Sequence, residues 1–155
     1  VMIGAWCCAA YVAVATVPLA RHDLREHRLP NAWTMPGWLV ALVAIAVQAV
    51  ASGQLPLLPV LAAGSALVMF LVFALVAGMG MGDLKLAVPL AAGLGFFGMH
   101  LVAFALLLAL ASGAALAAVL LMRGRARDTA IAFGPFLLFG YWCAFAVGTV
   151  SGTTV

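Results

Sequence analysis

Long uncharged apolar runs, separated by short polar breaks, fill this 155-residue chain from end to end. The first run covers about 3–20 and is followed by a cluster of charge. It has no basic segment before it and no small-residue cleavage site after it, so it predicts a transmembrane helix rather than a secretory signal. Two prolines, Pro30 and Pro36, mark the break that follows, with Trp33 placed as an interfacial aromatic. A second run covers about 37–52. At about 16 residues it is short for a bilayer that needs about 20, so flanking residues are expected to extend it. The uncharged turn Gly53-Gln54-Leu55-Pro56 leads into a third run over about 57–77. Residues 86–122 carry no formal charge, a length suited to two spans, and Gly98-Met99-His100 is the natural break between them. A sixth run covers about 131–150, followed by a short polar tail.

Composition agrees with that pattern. Hydrophobic residues make up 68% of the chain and charged residues 7%, with a mean hydropathy of +1.27. Soluble domains hold about 45–50% apolar and about 25% charged residues. A membrane β-barrel would alternate over about ten-residue strands instead of running apolar without interruption. The fold class is therefore all-α integral membrane protein, a bundle of about six transmembrane helices in a single domain, 1–155. No linker, repeat or low-complexity stretch argues for a second one.

Charge then gives sidedness. If six spans alternate, the connections after the first, third and fifth share one side, and both termini share the other. All eleven charged residues fall in those three connections: five in 21–28, two at Asp83 and Lys85, and four in 123–128. Seven of the eleven are Lys or Arg, so the positive-inside rule puts the three connections in the cytoplasm and both termini on the non-cytoplasmic side. The net charge of +3 bears on this orientation and gives no reason to expect a nucleic-acid partner. The arginines of 123–128 are expected to anchor the orientation and meet anionic headgroups of the bilayer. Cys7, Cys8 and Cys143 form no C-x-x-C pair and are read as packing residues, so no metal or cofactor is expected.

Four carboxylates remain to be explained: Asp23, Glu26, Asp83 and Asp128. A carboxylate held at the centre of a membrane helix costs about 2.5–3.5 kcal/mol and less near the interface, so a chain this poor in charge has reason to keep each one. Glu26 and Asp128 sit among arginines and read as solvated loop charges. His22 and His27 flank Asp23 and read the same way, while His100 falls on the opposite side of the membrane. Asp83 ends the stretch Gly78-Met79-Gly80-Met81-Gly82-Asp83. The plain reading is a glycine-rich turn whose aspartate caps the next helix. The chemical reading pairs Asp83 with Asp23. Two carboxyls brought close cannot both ionise; one activates a water and the other donates to an amide carbonyl. The glycines would let a second helix or an extended substrate come near.

Three stretches, in order and spacing, resemble the type IV prepilin peptidase family of GxGD aspartic peptidases, specifically the short form of Flp (tight-adherence) pilus systems. Archaeal preflagellin peptidases are similar. Asp23-Leu24-Arg25-Glu26-His27-Arg28-Leu29-Pro30-Asn31 resembles the first catalytic segment. Gly80-Met81-Gly82-Asp83-Leu84-Lys85-Leu86 resembles the GxGD segment with its trailing lysine, and Ala132-Phe133-Gly134-Pro135-Phe136 the Phe-Gly-Pro segment that opens the last helix. The resemblance implies an intramembrane-type endopeptidase of the bacterial inner membrane that removes the basic leader from prepilin-like membrane proteins on the cytoplasmic side. By position it makes Asp23 and Asp83 the catalytic pair, Gly80, Gly82 and Lys85 motif residues, and Pro30, Asn31, Gly134 and Pro135 architecture. Longer relatives add a cysteine-bearing N-methyltransferase region; nothing here corresponds to it, so cleavage without methylation is expected. Two other readings stand beside this one: a proton- or ion-coupled transporter or channel subunit, and a non-catalytic pilus assembly subunit. A transport path would want an ionisable residue near the middle of a span, and none is present.

Overall fold

The computed structural model describes residues 2–26, 29–124 and 132–151, the side chain of Ala77 apart. His27, Arg28, Arg125, Arg127 and Asp128 lie outside the described residues, as does the expected start of the last span at Ile131. The described residues form six helices and no strand: α1 (Ile3–Glu26), α2 (Asn31–Ser52), α3 (Leu57–Ala77), α4 (Met81–Gly95), α5 (Met99–Met122) and α6 (Gly134–Val150). The all-α bundle is as the apolar runs predict.

Four of the helices, α1, α2, α3 and α5, are long and apolar enough to cross a membrane. Their outward faces carry bare large apolar side chains such as Val14, Leu42, Val68, Leu75 and Leu107, a surface suited to lipid rather than water. Helix α6 has 17 residues and α4 only 15, about 22 Å of helix against a hydrocarbon core of about 30 Å. The shortness of α4 is compensated by position. Every residue from Leu86 to Gly95 is buried, because α4 runs through the middle and packs against each of the other five helices.

The helices pair as antiparallel neighbours, α1 with α2, α3 with α4 and α5 with α6. Each pair closes on a glycine. A Cβ added at Gly4 would meet Phe96 and the Ala44 carbonyl, one at Gly95 the backbone of Pro59, and one at Gly140 the Ala105 carbonyl. Small residues at such crossings let backbones approach where no hydrophobic force separates protein from lipid.

Two boundaries differ from the sequence reading. Helix α1 does not end at residue 20 but continues through the charged segment to Glu26. Leu, Arg and Glu are good helix formers, and the buried stripe Val12, Ala15, Leu19 carries on to Asp23 at helical spacing. Pro36 does not interrupt α2, which opens after Pro30 and carries Pro36 inside, as membrane helices tolerate when neighbours cover the freed carbonyl.

Candidate active site

Asp23 comes to the site on the last turn of α1. With Leu19 one turn before it and 1% exposed, it continues a stripe aimed at the bundle interior, and is itself 4% exposed. Its Oδ2 accepts the backbone N–H of Gly134 at 2.8 Å. Gly134 opens α6, with Pro135, which needs no amide partner, directly behind it. The lack of a side chain at Gly134 is what admits this contact. A Cβ at this position would lie 2.7 Å from Asp23 Oδ2 and 3.3 Å from its Cγ, so only glycine brings the amide to the carboxylate.

Asp83 arrives from the other side, at the start of α4. Gly78 closes α3 in a left-handed conformation, φ +67°, and gives its N–H to the Phe73 carbonyl, which frees the chain to turn. Gly80 is then the N-cap of α4, and Asp83 donates its own N–H to the Gly80 carbonyl at 3.1 Å. Asp83 is thus not the helix cap that the plain reading makes it. It stands in the first helical turn with no capping bond from its side chain, which leaves the carboxyl to the cavity.

The two carboxylates share that cavity, of about 350 Å³, whose walls are Asp23 of α1, Leu29 and Asn31 at the turn into α2, and Gly80, Met81, Gly82, Asp83 and Lys85 at the start of α4. A second cavity of about 200 Å³ lies among α3, α4, α5 and α6, but no charged side chain reaches it. Asp83 lies in the polar first turn of α4, ahead of the uncharged run and outside the four long apolar helices. Burial, and after it the negative charge of Asp23, push its carboxyl from an ordinary 3.8 up to about 7.

The three glycines before Asp83 and the lysine after it divide their work. Gly78 supplies the positive φ. Gly82 supplies close approach, since a Cβ there would lie 3.0 Å from Leu29 Cβ and 3.4 Å from its backbone N. Gly80 has an ordinary φ of −60° and open space in front of it, its nearest atom being Asp83 Oδ2 at 3.5 Å from an added Cβ. Lys85 donates from Nζ to Asn31 Oδ1 at 2.8 Å, and its carbonyl accepts the Trp38 Nε1–H at 2.9 Å. Lys85 and Asn31, drawn from two separate motifs, are one tie between α4 and α2. Pro30 is the N-cap of α2, and its carbonyl accepts the Trp33 and Thr34 amides. Trp38 and the Gly134 amide are the site-forming groups that sequence reasoning missed. The tryptophan carries no signal as a donor, and an amide is invisible in a side-chain inventory. His22 and Glu26 pair at 3.6 Å on the exposed side of α1, and His100 begins α5 at the far end of the bundle.

Fold and site together define a multi-pass helical membrane protein with a two-carboxylate cavity at one end. The chain belongs to the type IV leader peptidase family, whose profile matches residues 5–122 and takes in both aspartates. It is a peptidase of that class. No curated protein and no solved structure matches it. The match stops short of Gly134 and Pro135, so the contact that α6 makes with Asp23 lies beyond it.

Proposed function

We propose that the chain is an aspartic endopeptidase, a single membrane peptidase unit in which Asp23 and Asp83 are the catalytic pair, and that it removes the basic leader from prepilin-like membrane proteins. One observation carries this reading: carboxylates from two different helices face one polar cavity, and one of them is held near neutrality. An ionised carboxylate in this setting takes a proton from a water whose oxygen adds to the scissile carbonyl carbon. The protonated partner gives its proton to the carbonyl oxygen. Collapse of the resulting gem-diol breaks the C–N bond: the first carboxyl passes its proton to the leaving nitrogen, and the gem-diol returns one to the second. One water is consumed and both carboxyls end as they began.

The cavity lies where α1 ends and α2 and α4 begin, and along the sequence all the charge falls at the α1–α2, α3–α4 and α5–α6 junctions. With six crossings and the positive-inside bias this face is cytoplasmic, in the bacterial inner membrane, where a basic leader ahead of an apolar helix presents its junction. Co-expression with a prepilin tests the reading. Asp23→Asn and Asp83→Asn are each expected to abolish processing, by at least about 10³-fold, while membrane insertion persists. Near-normal processing by either variant would overturn the pair. A substrate left uncut by the unaltered protein would favour a transport or assembly role instead.

A further inference from the structure

The amide at the start of α6 is one of the four in a helix that no helical carbonyl serves, and it stands at the positive end of the helix dipole. It has been given to Asp23, 111 residues away, in a buried bond of 2.8 Å. A hydrogen bond from such a donor stabilises a carboxylate more than a carboxylic acid. The seat is cut closely, since an added Cβ on Gly134 would also come within 3.4 Å of Leu29 Cδ2. Asp83 has a different neighbourhood. Its first-turn amide is already taken by the Gly80 carbonyl, and its carboxyl stands half-buried across from a negative charge.

Among the described residues, the other charged groups and histidines near the pair on α1 and α4 are exposed or engaged elsewhere, Arg21 and Arg25 being exposed. Lys85 lines the same cavity from α4, with its ammonium on the neutral Asn31 of α2. His22 and Glu26 of α1 face solvent and each other. The end of α3 brings only apolar residues and glycine, and the described start of α6 brings only its amide.

Resting on the dyad reading above, we propose that Gly134 is a positioning residue: its N–H fixes Asp23 as the ionised, water-activating member of the pair, which leaves Asp83 as the protonated member that donates to the substrate carbonyl. The two carboxyls then have separate roles before substrate arrives. In the first step the water proton goes to Asp23 and the Asp83 proton goes to the carbonyl oxygen. The elevation of the Asp83 carboxyl to about 7 agrees with that assignment.

The test deletes the donor without adding bulk. Glycolate in place of Gly134, incorporated as a backbone ester in the full chain, removes the N–H, and Gly134→Ala displaces the carboxylate by contact. Both are assayed in lipid nanodiscs on a synthetic precursor with a basic leader and an apolar helix. For the ester, kcat is expected to fall about tenfold with KM within about twofold, and the acidic limb of kcat to move up by about one pH unit while the alkaline limb stays. An acidic limb that does not move, or a loss confined to KM, overturns the proposal. Should Gly134→Ala fail to fold, the ester decides alone. Retained cleavage by Asp23→Asn or Asp83→Asn would instead bring down the dyad reading itself.

Discussion

Asp23 and Asp83 reach one cavity from opposite kinds of helix end. Asp23 sits on the last turn of a long helix that crosses the membrane, is nearly inaccessible, and is held by an amide from a third helix. Asp83 sits on the first turn of a short helix that is enclosed only beyond that turn, is half-buried, and follows glycines that ask nothing of its side chain. One carboxylate is integrated into the packing; the other is presented by it. The difference teaches that two identical residues in one cavity can be given unlike settings, and that a backbone amide, the Gly134 N–H, contributes to the difference.

Stability measurements break or sharpen this contrast most strongly, because the two sites should respond with opposite signs. Asp23→Ala leaves the buried Gly134 N–H without its acceptor and is expected to cost about 1–3 kcal/mol, seen as a lower thermal midpoint. For Asp83 the sign reverses. In the unfolded chain its carboxyl ionises near 3.8, in the folded protein near 7. Between those values the unfolded state holds fewer protons, so its contribution to stability is full below about pH 4 and is lost as pH rises to about 7. Asp83→Asn does not suffer that loss. Its thermal midpoint should therefore gain on the unaltered protein from pH 4 to pH 7, then run parallel above. Loss of stability by both variants at pH 8 would show that the two settings are not distinct.

The glycines offer a second, smaller cut. Gly82→Ala places a Cβ against Leu29 where the backbone nitrogen limits any retreat, and so pushes the turn into α2 away from α4. Displacement of catalytic groups by a fraction of an ångström justifies an expected fall in kcat of about tenfold. Gly80→Ala meets nothing closer than Asp83 Oδ2 at 3.5 Å and keeps an ordinary φ, so kcat should hold within about twofold, with any change in KM as the added methyl enters the cavity. Equal effects at both positions would mean that the motif acts through flexibility and not through contact.

How far the sequence announces these features depends on whether the feature is local. Six helices and their breaks are legible because membrane helices must be long, apolar and punctuated, and Gly53, Gly78 and Gly98 do adopt the positive φ that a break requires. The pairing of Asp23 with Asp83 is legible because so little charge is left to choose from. The extension of α1 through 21–26 is not, since charge after an apolar run reads as a loop until the stripe Val12, Ala15, Leu19 is followed to Asp23. The enclosure of α4 is not legible either. Beyond its first turn α4 is apolar on all sides, as α3 and α5 are, so no periodicity tells which of them the others surround. The Gly134 contact joins residues 111 apart through a backbone atom, and nothing in the side-chain pattern encodes it.

Lys85 gives the finest test of what the pair requires. It stands two residues after Asp83, on the same cavity, yet its ammonium is engaged by Asn31 and both groups are partly open to solvent. An exposed bond of this kind contributes about 0.5–1.5 kcal/mol. Lys85→Met keeps the stem that covers apolar surface and removes only the donor. The second link between α2 and α4, the Trp38 Nε1–H on the Lys85 carbonyl, belongs to the backbone and survives the change. The expected fall in kcat/KM is therefore no more than about threefold, and Asn31→Ala should match it. Because the two side chains form one tie, the double variant should cost little more than either single one. A Lys85→Met loss as deep as that of Asp83→Asn would place the ammonium on the substrate instead of on Asn31, and would make the α4 wall of the cavity chemically active at two positions.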